Sequence, residues 1–207
     1  MAEYESAARL LADAPSQVVA VEVNLSCPNT EASRDLFAHS TDATRAVMRA
    51  TAACDRPRWA KLSPNTSELV AVAEAARAAG ADAVTLVNTV LGMAIDPENA
   101  AYRLGSGARG GGLSGPAIHP IAVRAVHDVH AALPELPIVG VGGVANGADA
   151  AELVLAGASA VQVGTATFAD PRAPAHVLRE LEAWLGRRED RSIRGNVGAA
   201  HRRESEA

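Results

Sequence analysis

VEVNLSCPNT, residues 21–30, is the stretch whose reading decides the fold. Val21, Val23 and Leu25 alternate with Glu22 and Asn24, the period of a pleated strand. Pro28 cannot donate to a sheet ladder, so the strand has to end near Cys27. A thiol and two carboxamides, Asn24 and Asn29, are thereby gathered at the carboxyl end of a strand. In α/β proteins that end is where chemistry sits. The same residues also suit a buried Cys in a core strand followed by an Asn turn.

Outward from this stretch the pattern repeats. Residues 2–13 read as a helix, and the first strand spans 18–25. Ser40-Thr41-Asp42 starts a helix that runs to about residue 53. A strand at 58–62 ends in Ser63-Pro64-Asn65, and Thr66 or Ser67 is expected to cap a helix closed by Gly80. The third strand, 83–87, leads into a glycine-rich connection over 90–117. A structureless loop of that length is uncommon in a compact domain and is often functional. Then come a helix over 116–133, a strand at 137–141, a helix ending at Gly157, a strand at 160–163 and a helix over 173–185. The domain is expected to occupy residues 1–185, with 186–207 a loosely held polar tail.

Short apolar strands alternating with helices should be parallel and covered on both faces. Two architectures fit: an open doubly wound sheet, or part of a (β/α)₈ barrel. The barrel needs roughly 250 residues and eight strands, against the 207 residues and five strands read here. Spacing leaves both open.

Composition bounds the rest. At 48% hydrophobic but only 3% aromatic residues, the core must be aliphatic. A formal net charge of −5 argues against a nucleic-acid footprint. Two Cys do not make a disulfide framework and favour a reducing compartment. No apolar run approaches the roughly 20 residues of a membrane span, and the acidic N-terminus lacks a signal-peptide core. A cytoplasmic globular protein is expected.

Each strand ends in a polar or glycine cluster: Asn24/Cys27/Asn29, Lys61/Ser63/Asn65, Asn88/Thr89, Gly142/Gly143 and Gly164/Thr165. All would lie on one rim. The last two pairs suit phosphate, because glycine lets backbone N–H groups approach an anion; they equally suit tight βα turns. Lys61 sits inside an apolar strand and calls for an anionic partner, which a cofactor could supply. No GxGxxG follows a strand, which argues against a Rossmann dinucleotide site. His119, His127 and His130 lie near or on one helix; His127 and His130, three apart, could share a ligand but suit a solvated helix face better, and Cys54 reads as inert.

Six segments, VNLSCPN, WAKLSPN, VNTVLGMAID, GGLSGPAIHP, IVGVGG and LAGASAVQVGTATF, occur in this order. Together they resemble the class 1 dihydroorotate dehydrogenases, above all the type whose catalytic subunit pairs with an iron–sulfur flavoprotein. The pyrimidine-reducing domain of dihydropyrimidine dehydrogenase is similar too, but less so in the GMAID and VGVGG segments.

The resemblance implies a (β/α)₈ barrel holding FMN at its carboxyl rim. It implies that the strands here are strands four to eight, with strands one to three lacking a counterpart. The chain would then be a carboxyl-terminal portion, from a truncated product, a mis-set start or a degenerate copy. Cys27 matches the family's catalytic base. Asn24, Asn29, Asn88 and Thr89 match substrate contacts. Asn24, Lys61, Val87, Gly115, Gly142, Gly143, Gly164 and Thr165 match the FMN site. Residues 30–40 would form a mobile lid. The implied partners are dihydroorotate and orotate, a second copy in a homodimer, and an FAD/iron–sulfur electron-transfer subunit. An inactive barrel remnant needing another subunit is the rival expectation.

Overall fold

The computed structural model of the chain describes residues 1–26, 40–104 and 110–204. The elements, in order, are α1 (Ala2–Ala12), β1 (Val21–Asn24), α2 (Thr41–Ala50), β2 (Arg58–Lys61), α3 (Leu69–Ala78), β3 (Ala83–Leu86), β4 (Val90–Gly92), β5 (Gly111–Leu113), α4 (His119–Ala132), β6 (Ile138–Val141), α5 (Gly147–Ala156), β7 (Ala160–Gln162), α6 (Ala166–Ala169), α7 (Ala173–Leu185), α8 (Ile193–Asn196) and α9 (Ala199–Glu204). A 3-10 turn over Pro116–Ile118 leads into α4.

β1, β2, β3, β6 and β7 form one sheet in that order, and every pairing in it is parallel. The order never reverses. A doubly wound sheet requires a reversal, at its switch point; a sheet that adds each new strand to the same edge is of the barrel kind. The helices follow suit: α2 packs on α3, α3 on α4, α4 on α5 and α5 on α7.

Register assigns the two faces. Val23, Ala60, Val84 and Ile138 turn toward the helices and join Leu62, Val72, Val126 and Leu153 in one buried aliphatic cluster. The alternate residues, Glu22, Asn24, Lys61, Thr85 and Gln162, share the other face. There Glu22 Oε2 accepts from Thr85 Oγ1 at 2.7 Å and from Gln162 Nε2 at 3.1 Å. β1 and β7 are four strand spacings apart, about 19 Å if the sheet were flat. A Glu and a Gln cannot span that, so the sheet is curled with its polar face inside. The expectation of apolar cover on both faces is therefore corrected: helices cover one face, and the other lines the inside of the curl.

Local chemistry explains the element ends. Ser40 Oγ accepts from Ala43 N and caps α2 as expected. The start of α3 differs: Glu68 is the N-cap residue, and Thr66 Oγ1 accepts from Glu68 N one turn earlier. Gly80 and Gly157, with φ +93° and +132°, end α3 and α5. α5 starts with a capping box in which Asn146 Oδ1 accepts from Ala148 N and Asp149 N while Asp149 Oδ2 accepts from Asn146 N. The 90–117 connection contains an antiparallel hairpin, β4 against β5. Beyond Leu185 the chain forms α8 and α9 in place of a loose tail. Gly198 N donates to Val154 O and His201 Nε2 lies 3.0 Å from Ala156 O, so α5 holds this segment. Among the described residues, no helix is long and apolar enough to cross a membrane.

Candidate active site

The carboxyl ends of β2, β3, β6 and β7 converge on a cavity of about 130 Å³. Lys61 lines it from β2 and Val87, Asn88 and Thr89 from the end of β3. Gly115, Gly142, Gly143, Gly164 and Thr165 complete the wall. Gly115 follows β5 and the others come from the ends of four main-sheet strands, and the sequence had singled out each of them. Gly115, Gly143 and Thr165 also border a second cavity of about 410 Å³, so the two form one trough along the rim. Asp170 and His176 lie at its far end, where Asp170 is paired with Arg172 and its carboxyl is held below the usual range chiefly by that guanidinium.

Asn24 is absent from the cavity wall but is linked to it through Ser26. Ser26, 2% exposed, donates from its backbone N and from Oγ to Asn24 Oδ1, at 3.2 and 3.1 Å. Asn88 Nδ2 in turn donates to Ser26 O and Oγ, at 3.0 and 2.7 Å. A second hub repeats the scheme one strand on. Ser63, 1% exposed, accepts from Asn65 N and Nδ2. Asn65 also donates to Thr89 O and accepts from Leu91 N, tying the hairpin to β2. These buried Ser–Asn pairs fix the amides of the rim before any ligand arrives. Sequence reading left Ser26 and Ser63 without a role. Their signal was the Leu-Ser ending shared by both strands, LSCPN and LSPN.

The glycines differ in what they do. Gly142 and Gly143 have φ of +142° and +69°, and a Cβ on Gly143 would lie 2.8 Å from Gly115 O. Their shape is demanded by the fold. Gly164 is different: a Cβ there would meet nothing within 4 Å. Among the described residues no neighbour requires that glycine, and its missing side chain leaves this part of the cavity wall open. The Leu86–Val87 peptide at the end of β3 is cis.

His119 is neither solvated nor idle. It is 8% exposed, with Nδ1 2.8 Å from Gly142 O and Nε2 3.0 Å from Glu152 Oε2. Cys54 is buried. Cys27, Asn29 and the 30–39 part of the expected lid lie outside the described residues. Among the described residues, no group of three or more His, Cys, Asp or Glu side chains is arranged to hold a metal ion.

A curled parallel sheet with a glycine-walled trough at its carboxyl rim defines a barrel-type α/β protein, the class in which ligand sites lie at the strand ends. The chain belongs to the dihydroorotate dehydrogenase family, whose sequence model matches residues 1–185. It is 45% identical over 199 residues to a protein of Geobacter sp. (strain M21) named dihydroorotate dehydrogenase B (NAD(+)), catalytic subunit, covering 95% of this chain and 64% of the relative. It is 46% identical to the protein of the same name from Desulforudis audaxviator, covering 97% and 64%. It is 45% identical to dihydroorotate dehydrogenase A (fumarate) of Lactiplantibacillus plantarum, covering 88% and 59%. The chain thus spans less than two thirds of the length of these relatives. A crystal structure of ligand-free DHODH from Eimeria tenella matches with a TM-score of 0.71 and 25% identity, over 88% of this chain and 55% of that one. The same enzyme in complex with ferulenol matches with a TM-score of 0.77 at 24% identity, over 97% and 57%.

Proposed function

We propose that this chain serves the FMN-dependent oxidation of dihydroorotate to orotate in pyrimidine biosynthesis. The observation that carries the reading is the convergence of Lys61, Val87, Asn88, Gly143 and Gly164 on one trough, within a chain of this family. The donor set fits a flavin mononucleotide. Half-buried Lys61 offers a cation at the ring end, the end of β3 offers backbone groups, and the positive-φ pair Gly142–Gly143 offers N–H groups at the phosphate end. When bound there, FMN supplies the acceptor for the hydride that leaves C6 of dihydroorotate.

The chain's own residues do the rest. Cys27 takes the proton from C5; thiols titrate near 8.5, so modest stabilisation of the thiolate yields a base near neutral pH. Asn24, Asn29 and Asn88 carry both donors and acceptors, the complement of a pyrimidine imide edge, and Thr89 adds a hydroxyl. The Ser26 hub holds Asn24 and Asn88 in place, and the Ser63 hub, through Asn65, holds Thr89.

The strands β1, β2, β3, β6 and β7 correspond in this reading to strands four to eight of a (β/α)₈ barrel. The curl that brings Glu22 to Gln162 supports it. The B-type names among the relatives, each given as a catalytic subunit, support a separate partner subunit; in this reading it is an FAD/iron–sulfur electron acceptor, and the chain pairs with a second copy of itself. The open edges of β1 and β7 favour a further reading, in which the chain needs another polypeptide to complete the site.

Anaerobic mixing of the chain with saturating FMN and then dihydroorotate tests the proposal. Loss of the flavin's visible absorbance is expected with dihydroorotate and not with dihydrouracil. No bleaching with either, or faster bleaching with dihydrouracil, would overturn it.

A further inference from the structure

Among the described residues, His119 is the one buried histidine beside the trough. It opens α4, directly after the 3-10 turn over Pro116–Ile118. A Cβ on Gly143 would meet His119 Cβ at 2.7 Å and His119 Cα at 3.0 Å, so the backbone of Gly143 lies flat against this residue. The ring then reaches past Gly143 to the carbonyl of Gly142. A carbonyl can only accept, so Nδ1 carries the hydrogen. Nε2 faces Glu152 on α5, which fixes the ring's rotation. One residue thus touches both glycines that open the loop between β6 and α5 and joins that loop to two helices.

We propose that His119, oriented by Glu152, is a positioning residue that holds the Gly142–Gly143 loop in the shape that receives a phosphate. The inference rests on the FMN reading above. Gly142 and Gly143 have φ of +142° and +69°; Gly143 packs against Gly115 and His119, and the hydrogen bond to the Gly142 carbonyl adds a polar anchor to that packing. His119 supplies that anchor. It is not among the residues that line the two cavities, so it acts on a ligand only through this loop.

That confinement gives the test. Dissociation constants of FMN and riboflavin, which differ only by the phosphate, are measured by flavin fluorescence on the full chain and its variants. The wild-type chain is expected to prefer FMN. His119→Ala is expected to lose about tenfold of that preference, the size of one lost buried hydrogen bond, with riboflavin affinity unchanged. His119→Asn, whose amide nitrogen falls where Nδ1 was, is expected to keep most of it. His119→Gln, whose amide falls where Nε2 was, is expected to lose it. Equal FMN preference in all variants, or a parallel loss for both flavins, would overturn the inference while leaving the FMN reading intact. Absence of FMN binding by the wild-type chain would overturn both. If His119→Ala does not fold, the contrast between Asn and Gln decides alone.

Discussion

At the scale of single residues, His130 carries a clear electrostatic signature. Burial is the first cause that holds it below the ordinary imidazole value of 6.5, followed by the neighbouring charges of His201, His127 and Arg202. His127 and His201 stack with ring centroids 4.0 Å apart, and the His130 ring lies 5.1 Å from that of His201. The folded chain keeps His130 neutral where the unfolded chain binds a proton. Its contribution to stability is therefore complete above pH 6.5 and is lost as the pH falls below that value. Thermal unfolding followed from about pH 7.5 to about pH 5.5 should show a falling Tm. His130→Gln should flatten the fall, and an unchanged slope would remove this residue from the account. Chemistry at Cys27 is tested separately. Cys27→Ser should slow dihydroorotate-dependent flavin reduction about 10²- to 10⁴-fold at neutral pH, the usual worth of a general base; unchanged turnover would take Cys27 out of that role. Lys61 was legible from sequence, because a lysine in an apolar strand stands out. His119 was not, because the partner that explains it, the Gly142 carbonyl, lies 23 residues away.

Among the elements, the main-sheet strands were readable to within a few residues. Each is a short aliphatic run stopped by Pro, Gly or Asn, and those stops act locally. The β4–β5 hairpin was unreadable for the opposite reason. Gly111 and Gly112 have no strand preference, and their pairing depends on a neighbour. Gly112 packs so tightly on Thr89 that no side chain fits, and Asn65 secures the other strand through Thr89 O and Leu91 N. Asn65→Ala should cost about 1–3 kcal/mol by leaving those groups unpaired, and should raise hydrogen exchange at Leu91. Protection at Leu91 equal to wild type would contradict it. At α5, Asn146→Ala should cost about 1 kcal/mol in denaturant unfolding, since its side chain serves two backbone N–H groups. The tail was misread because polar composition says nothing of docking; α9 is held through the His201 contact with Ala156 O.

For the whole molecule, βα spacing could not separate a doubly wound sheet from a barrel segment, since both use the same units. Strand order and the Glu22–Gln162 contact separate them, and both depend on residues up to 140 positions apart. The same curl sets the strand ends side by side and creates the trough. The trough is proposed to bind FMN, and Gly164 offers the most direct check, because a Cβ there meets no described neighbour within 4 Å. Equilibrium FMN titration of the wild-type chain and of Gly164→Leu, each with its circular dichroism spectrum, is the measurement. Saturable binding by the wild type, weakened more than about tenfold in a variant of unchanged fold, is the predicted result. Absence of saturable binding by the wild type, or equal affinity in the two, would contradict it.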